Sequence, residues 1–161
     1  MTTFNKVYVF SFLCFVIISF CSLFSIICIK ITELPYEDKM QIEQTSIEQL
    51  LDAMRIQESG GDDMVVGDNG LSKGPLQITE PYWFDACEYG KVLDDTNWKY
   101  DISVWDWGKS KQAVKWYWQR YCSEAYKENN FEVLARIHNG GPNGHLKDST
   151  LKYWEKLKGK L

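Results

Sequence analysis

The sequence predicts an α+β domain that is mostly helical, with a small β-hairpin flanking a cleft. Three observations carry this. Apolar residues recur at helical spacing in several separate stretches. Glycine-rich breaks separate those stretches, and β-type signals are confined to one short interval, Met64-Val65-Val66 followed by Gly67-Asp68-Asn69-Gly70 and a return strand from Leu71. The 161 residues suffice for one domain with a sizeable core once the apolar N-terminus is set aside.

Residues 7–29 contain no charged side chain and follow Lys6. A secretory core spans about 7–15 residues and about 20 cross a bilayer, so a cleaved signal and a signal anchor both remain open, the former preferred. The expected division is 1–30 signal or anchor, 31–45 linker and 46–161 domain. Either outcome places the domain outside the cytosol: secreted, or membrane-anchored if the segment is retained. The domain holds an even pair of cysteines, Cys87 and Cys122. In an oxidising compartment such a pair is expected to bridge, two separate buried thiols being the alternative.

Ser46 is expected to cap a first helix, with Gln49 completing a capping box and Ile47, Leu50, Leu51 and Met54 forming one apolar face. Gly60-Gly61 ends it. Glu58 therefore falls in the last turn, where the negative end of the helix dipole disfavours a second negative charge. Desolvation acts in the same direction and would keep its carboxyl protonated. Asp68 lies in the hairpin turn, where peptide N–H groups and water would keep it charged; Asp also fills turns for purely conformational reasons. Two carboxyl groups in different settings are what cleavage of a glycosidic bond requires.

Beyond the hairpin, Gly74 to Ile78 leads towards a helix from Pro81 to Glu88. Gln77, polar between Leu76 and Ile78, suggests an inward amide. Residues 94–108 are irregular, acidic and aromatic, a surface loop anchored by Trp98, Trp105 and Trp107. A long helix is expected from Lys109 to Lys127, apolar around much of its girth. Asn130 caps a third helix, carrying Phe131, Leu134 and Ala135 inward and breaking at the glycine-rich run His138 to Gly144. A last helix starts near Ser149.

Charge is polarised. Residues 31–108 carry 5 Lys and Arg against 17 Asp and Glu, and residues 109–161 carry 11 against 5, for a net of −4 over the whole chain. Scattered lysines on an acidic protein exclude a nucleic-acid stripe. His138 and His145 lack a cysteine partner, which argues against a catalytic zinc, and no cofactor is expected.

Taken together, Glu58-Ser59-Gly60, Asp68 to Ile78, Glu80 to Asp85, Ala135 to Gly144 and Leu151-Lys152-Tyr153-Trp154 resemble the invertebrate-type lysozymes, the destabilase family. The resemblance covers residues 46–157 and implies a lysozyme-like fold. It also implies hydrolysis of the β-1,4 bond between N-acetylmuramic acid and N-acetylglucosamine, with Glu58 as general acid and Asp68 as nucleophile or charge stabiliser. The implied partner is peptidoglycan or a chitin-like glycan. The two-carboxylate scheme is carried over with the resemblance; retention would set the carboxyl groups about 5–5.5 Å apart. Candidate groove residues are Ser72, Gln77, Tyr82, His138 and Asn139, each of which also has a structural reading. Relatives are disulfide-dense, whereas Gly61, Lys73 and His145 stand at positions that are cysteine in them. Two other readings compete: a lytic transglycosylase, which needs Glu58 alone, and a non-catalytic glycan-binding protein.

Overall fold

The computed structural model describes residues 36–161, so the apolar 7–29 segment and its signal-or-anchor reading lie outside the described residues. Among the described residues no helix is long and apolar enough to cross a membrane. The compact unit that carries the cleft is Gln44–Leu161.

Helix α1 spans Tyr36–Ser59 and passes through Ser46, which therefore is not its cap. The physical reason is local. Residues 36–45 contain neither Gly nor Pro and are mostly good helix formers, so nothing interrupts propagation before Pro35. The apolar face is as the spacing predicts, with Ile47, Leu50, Leu51 and Met54 all buried. Burying each such side chain contributes about 1.5–3 kcal/mol. Gly60 and Gly61, at φ +67° and +91°, stop the helix.

The β region is a three-stranded antiparallel sheet in the order β1 (Val66–Gly67), β2 (Ser72–Lys73), β3 (Ile78–Thr79). Register pairs Ser72 with Gly67 on one side and Thr79 on the other. The third strand was not expected. Each strand has two residues, too few for an alternating pattern to register in the sequence.

Helix α2 covers Glu80–Gly90 with Pro81 in its first turn. The aromatic interval is more ordered than expected, holding a 3-10 turn at Thr96–Trp98 and a short helix α3 at Tyr100–Ser103. Trp98 packs against Trp83 and Trp116, and the Trp83 indole N–H donates to the Trp98 carbonyl. The expected Lys109–Lys127 helix is two helices, α4 (Trp107–Tyr121), capped by Asp106, and α5 (Ser123–Lys127). They part at Cys122, whose backbone (φ −152°, ψ 49°) is not helical; neither glycine nor proline marks the spot.

Helix α6 is Phe131–Gly140, and Asn130 caps it by accepting from the Val133 N–H. It continues through His138 and Asn139, stopping only at Gly141 with φ +81°. Helix α7 is Leu151–Leu157. Trp118, Leu134, Ile137 and Leu157 meet Leu50, Leu51 and Met54 in a single core, with the Trp118 indole N–H bonded to the Leu134 carbonyl.

Cys87 is buried and Cys122 half-buried, and both are free thiols in place of the expected bridge. Burial pushes the Cys87 thiol up to about 11 and the Cys122 thiol up to about 12, so neither is a thiolate at neutral pH.

Candidate active site

A cleft of about 320 Å³ lies between the end of α1, the sheet, α2 and the end of α6. Its walls include Glu58, Asp68, Gln77, Tyr82, His138 and Asn139, so six of the seven residues singled out in the sequence as catalytic or groove-lining converge on one place. Ser72 does not join them. It is 2% exposed and donates its hydroxyl to Gln77 Oε1 at 3.0 Å, because the β2 register turns its side chain inward.

Glu58 occupies the last turn of α1, its side chain 17% exposed. Burial pushes its carboxyl up to about 7. The Tyr153 hydroxyl partly opposes this by favouring the carboxylate, and the negative charge of Asp68 adds to it. Glu58 is therefore predominantly protonated below neutral pH.

Asp68 opens a 3-10 turn on the far side of the cleft and is exposed to water. Its φ of +48° and the +56° of Asn69 are left-handed, a conformation that Asp and Asn accept better than most residues. The turn is braced from behind by Gln77, itself left-handed at φ +47°. The Gln77 amide donates to the Val65 carbonyl at 3.0 Å and the Gly74 carbonyl at 2.9 Å. The inward amide expected of this residue is thus a staple that holds the strand entering the turn to the loop beyond it. Gly67 makes room for it: a Cβ there would fall 2.1 Å from Gln77 Oε1.

The floor is aromatic. Tyr82 stacks on Tyr117 with ring centroids 3.7 Å apart and meets His138 edge-on. His138 Nε2 is 3.1 Å from the Leu76 carbonyl, which only accepts, so Nε2 carries the proton. Nδ1 is then the acceptor for the Tyr82 hydroxyl at 3.2 Å. Burial pushes the imidazole down to about 4, against a raising contribution from the Leu76 carbonyl. His138 is thus neutral where Glu58 is protonated, and their 3.7 Å approach is not an ion pair. Asn139 is exposed at the rim.

Several contributors were not picked out in the sequence. Tyr117, Asp85 and Thr79 line the cleft, and Tyr153 reaches Glu58 from α7. Tyr153 lies in one of the stretches that carry the resemblance, but nothing in the spacing of Tyr117 or Tyr153 distinguishes a hydroxyl at a site from one in a core. Trp98, Trp105 and Trp107 are absent from the lining. Among the described residues no group of His, Cys, Asp and Glu is arranged to hold a metal ion.

Helices packed around one core, a three-stranded sheet to one side and a cleft onto which the mostly buried carboxyl of Glu58 and the exposed carboxyl of Asp68 both open together define a lysozyme-like domain. The family model described as Destabilase matches residues 47–159, and the chain belongs to that family. It is 42% identical over 87 residues to an invertebrate-type lysozyme of Ruditapes philippinarum, a match covering 54% of this chain and 59% of that protein. It is 36% identical over 112 residues to invertebrate-type lysozyme 3 of Caenorhabditis elegans, covering 64% and 78%. The crystal structure of Tapes japonica lysozyme aligns with a TM-score of 0.56 at 37% identity, over 68% of this chain and 86% of that one. The chain spans less than two thirds of the length of the curated relatives it matches first.

Proposed function

We propose that this protein is a peptidoglycan hydrolase acting outside the cytosol, which cleaves the β-1,4 bond between N-acetylmuramic acid and N-acetylglucosamine. The observation that carries the reading is the pairing of a carboxyl held neutral up to about pH 7, Glu58, with the exposed anion Asp68 in one cleft. Glu58 gives its proton to the glycosidic oxygen as the bond to the sugar's anomeric carbon breaks. Asp68 meets the positive charge that develops on that carbon, as nucleophile or as electrostatic stabiliser. Glu58, now a carboxylate, takes a proton from the water that completes hydrolysis.

Among the described residues the cleft lining includes the carboxyl groups of Glu58, Asp68 and Asp85 but no Lys or Arg, so these residues build in no attraction to an anionic wall. Sugar recognition falls instead to hydrogen-bonding groups such as Asn139 and Thr79, and to the aromatic surface of Tyr82 and Tyr117. The names of the relatives, all lysozymes, support the same reading.

Digestion of purified peptidoglycan with mass spectrometry of the fragments tests it. Fragments with reducing ends are expected from wild type and none from Glu58→Gln. Fragments ending in 1,6-anhydro sugars would replace the hydrolase with a lytic transglycosylase, and no fragments at all would leave a glycan-binding protein.

A further inference from the structure

Tyr153 stands on α7, remote in sequence from Glu58, yet the two are held side by side. Gln57, the residue before Glu58, donates its side-chain amide to the Tyr153 carbonyl at 3.0 Å and so fastens α7 to the end of α1. The Tyr153 hydroxyl is sealed from solvent and completes no hydrogen bond of good geometry among the described residues. A buried hydroxyl left unsatisfied is destabilising, and each such group in a folded protein calls for an explanation. The carboxyl facing it belongs to Glu58, and the influence is mutual: the hydroxyl favours the Glu58 carboxylate, and that carboxylate helps keep the phenol protonated. His138 does not compete for this role, because its Nε2–H is committed to the Leu76 carbonyl.

We propose that Tyr153 is the positioning residue of the general acid: its hydroxyl donates to one carboxyl oxygen of Glu58 and leaves the acidic proton on the other, turned to the cleft. The proposal rests on the reading of Glu58 as proton donor. When that proton passes to the glycosidic oxygen and the bond to the anomeric carbon breaks, negative charge stays on Glu58. The phenol hydrogen bond strengthens at that moment, since a bond to an ionised acceptor is roughly twice as strong as a neutral one. A contact loose in the free enzyme and tight in the transition state contributes to rate rather than to binding.

The test begins with the full wild-type chain, labelled with ¹³C at the tyrosine ring and the glutamate carboxyl and followed by NMR across pH. The Tyr153 ring signal and the Glu58 carboxyl signal are expected to move with one shared midpoint. A Tyr153 signal that stays flat while Glu58 titrates overturns the proposal. Tyr153→Phe keeps the ring and removes the hydroxyl. It is expected to lower kcat about tenfold or more with KM within about twofold, and to move the alkaline limb of the pH–rate profile upward by about one pH unit. A lowered Tm with an unchanged profile and kcat means a packing role alone and overturns it. Shared titration without any turnover of glycan by wild type supports the contact and overturns the hydrolase reading instead.

Discussion

Replacing Glu58 with Gln should make the protein inactive and, at alkaline pH, more stable. The carboxyl is pushed from its ordinary 4.5 to about 7, chiefly by burial. The folded chain therefore holds this proton more tightly than the unfolded chain does. Between about pH 4.5 and 7 the folded state binds more protons, so its stability falls as pH rises through that window and levels off above it. At 1.36 kcal/mol for each pH unit, the loss amounts to about 3 kcal/mol by pH 8. The substituted amide would resemble the protonated acid in shape and never ionise, so the variant escapes the loss. His138 behaves oppositely. Its imidazole is pushed from 6.5 down to about 4, so its contribution is present above 6.5 and disappears as pH falls through 4. That contribution is common to both proteins and cancels in the difference. Urea unfolding of wild type and E58Q at pH 4.5, 6 and 8 measures the gap. It should be near zero at the lowest pH and about 3 kcal/mol at the highest, or roughly 10 °C in Tm. A gap that does not change with pH would mean that the Glu58 carboxyl is not held protonated by the fold, and the assignment of the general acid would fall with it.

Other outcomes follow from the same geometry. Asp68→Asn should lower peptidoglycan turnover by about a hundredfold or more while leaving the urea midpoint nearly unchanged, since the residue is exposed; full activity would favour a transglycosylase. Gly74→Ala places a Cβ 2.1 Å from the Val104 carbonyl oxygen at a φ of +79°, and should cost about 3 kcal/mol in urea unfolding from strain and overpacking together. Gln77→Ala removes two donated hydrogen bonds and the acceptor of Ser72, and should destabilise by about 2 kcal/mol. Because it frees the turn that carries Asp68, kcat should fall as well; an unchanged kcat in a folded variant would show that the turn does not depend on this staple.

Much of the site could be read from the chain because its parts are local. Glu58 is fixed by the end of a helix with a clear apolar stripe and a double glycine, and Asp68 by a turn whose glycines and Asn accept positive φ. Ser72 shows where such reading stops. A polar residue beside the Asp68 turn looks like a ligand-binding group, and only the pairing of three two-residue strands turns it inward onto Gln77. His138 was expected to sit in a glycine-rich break. It lies instead inside α6, because the glycines at 140 and 141 end a helix rather than replace its last turn. The helix break at Cys122 has no local signature at all.

What the amino-acid order determined by itself was the main helical stretches, the place of the β region and the pair of carboxyl groups: helical periodicity and glycine breaks act over a few residues and are written where they act. What only the tertiary structure decided was the electrostatic state of that pair. Glu58 is neutral because helices distant in sequence close over it, set the charge of Asp68 across the cleft and leave His138 uncharged beside it, which together outweigh the opposing Tyr153 hydroxyl. Desolvation depends on everything packed around a group, and no short stretch of sequence contains that information.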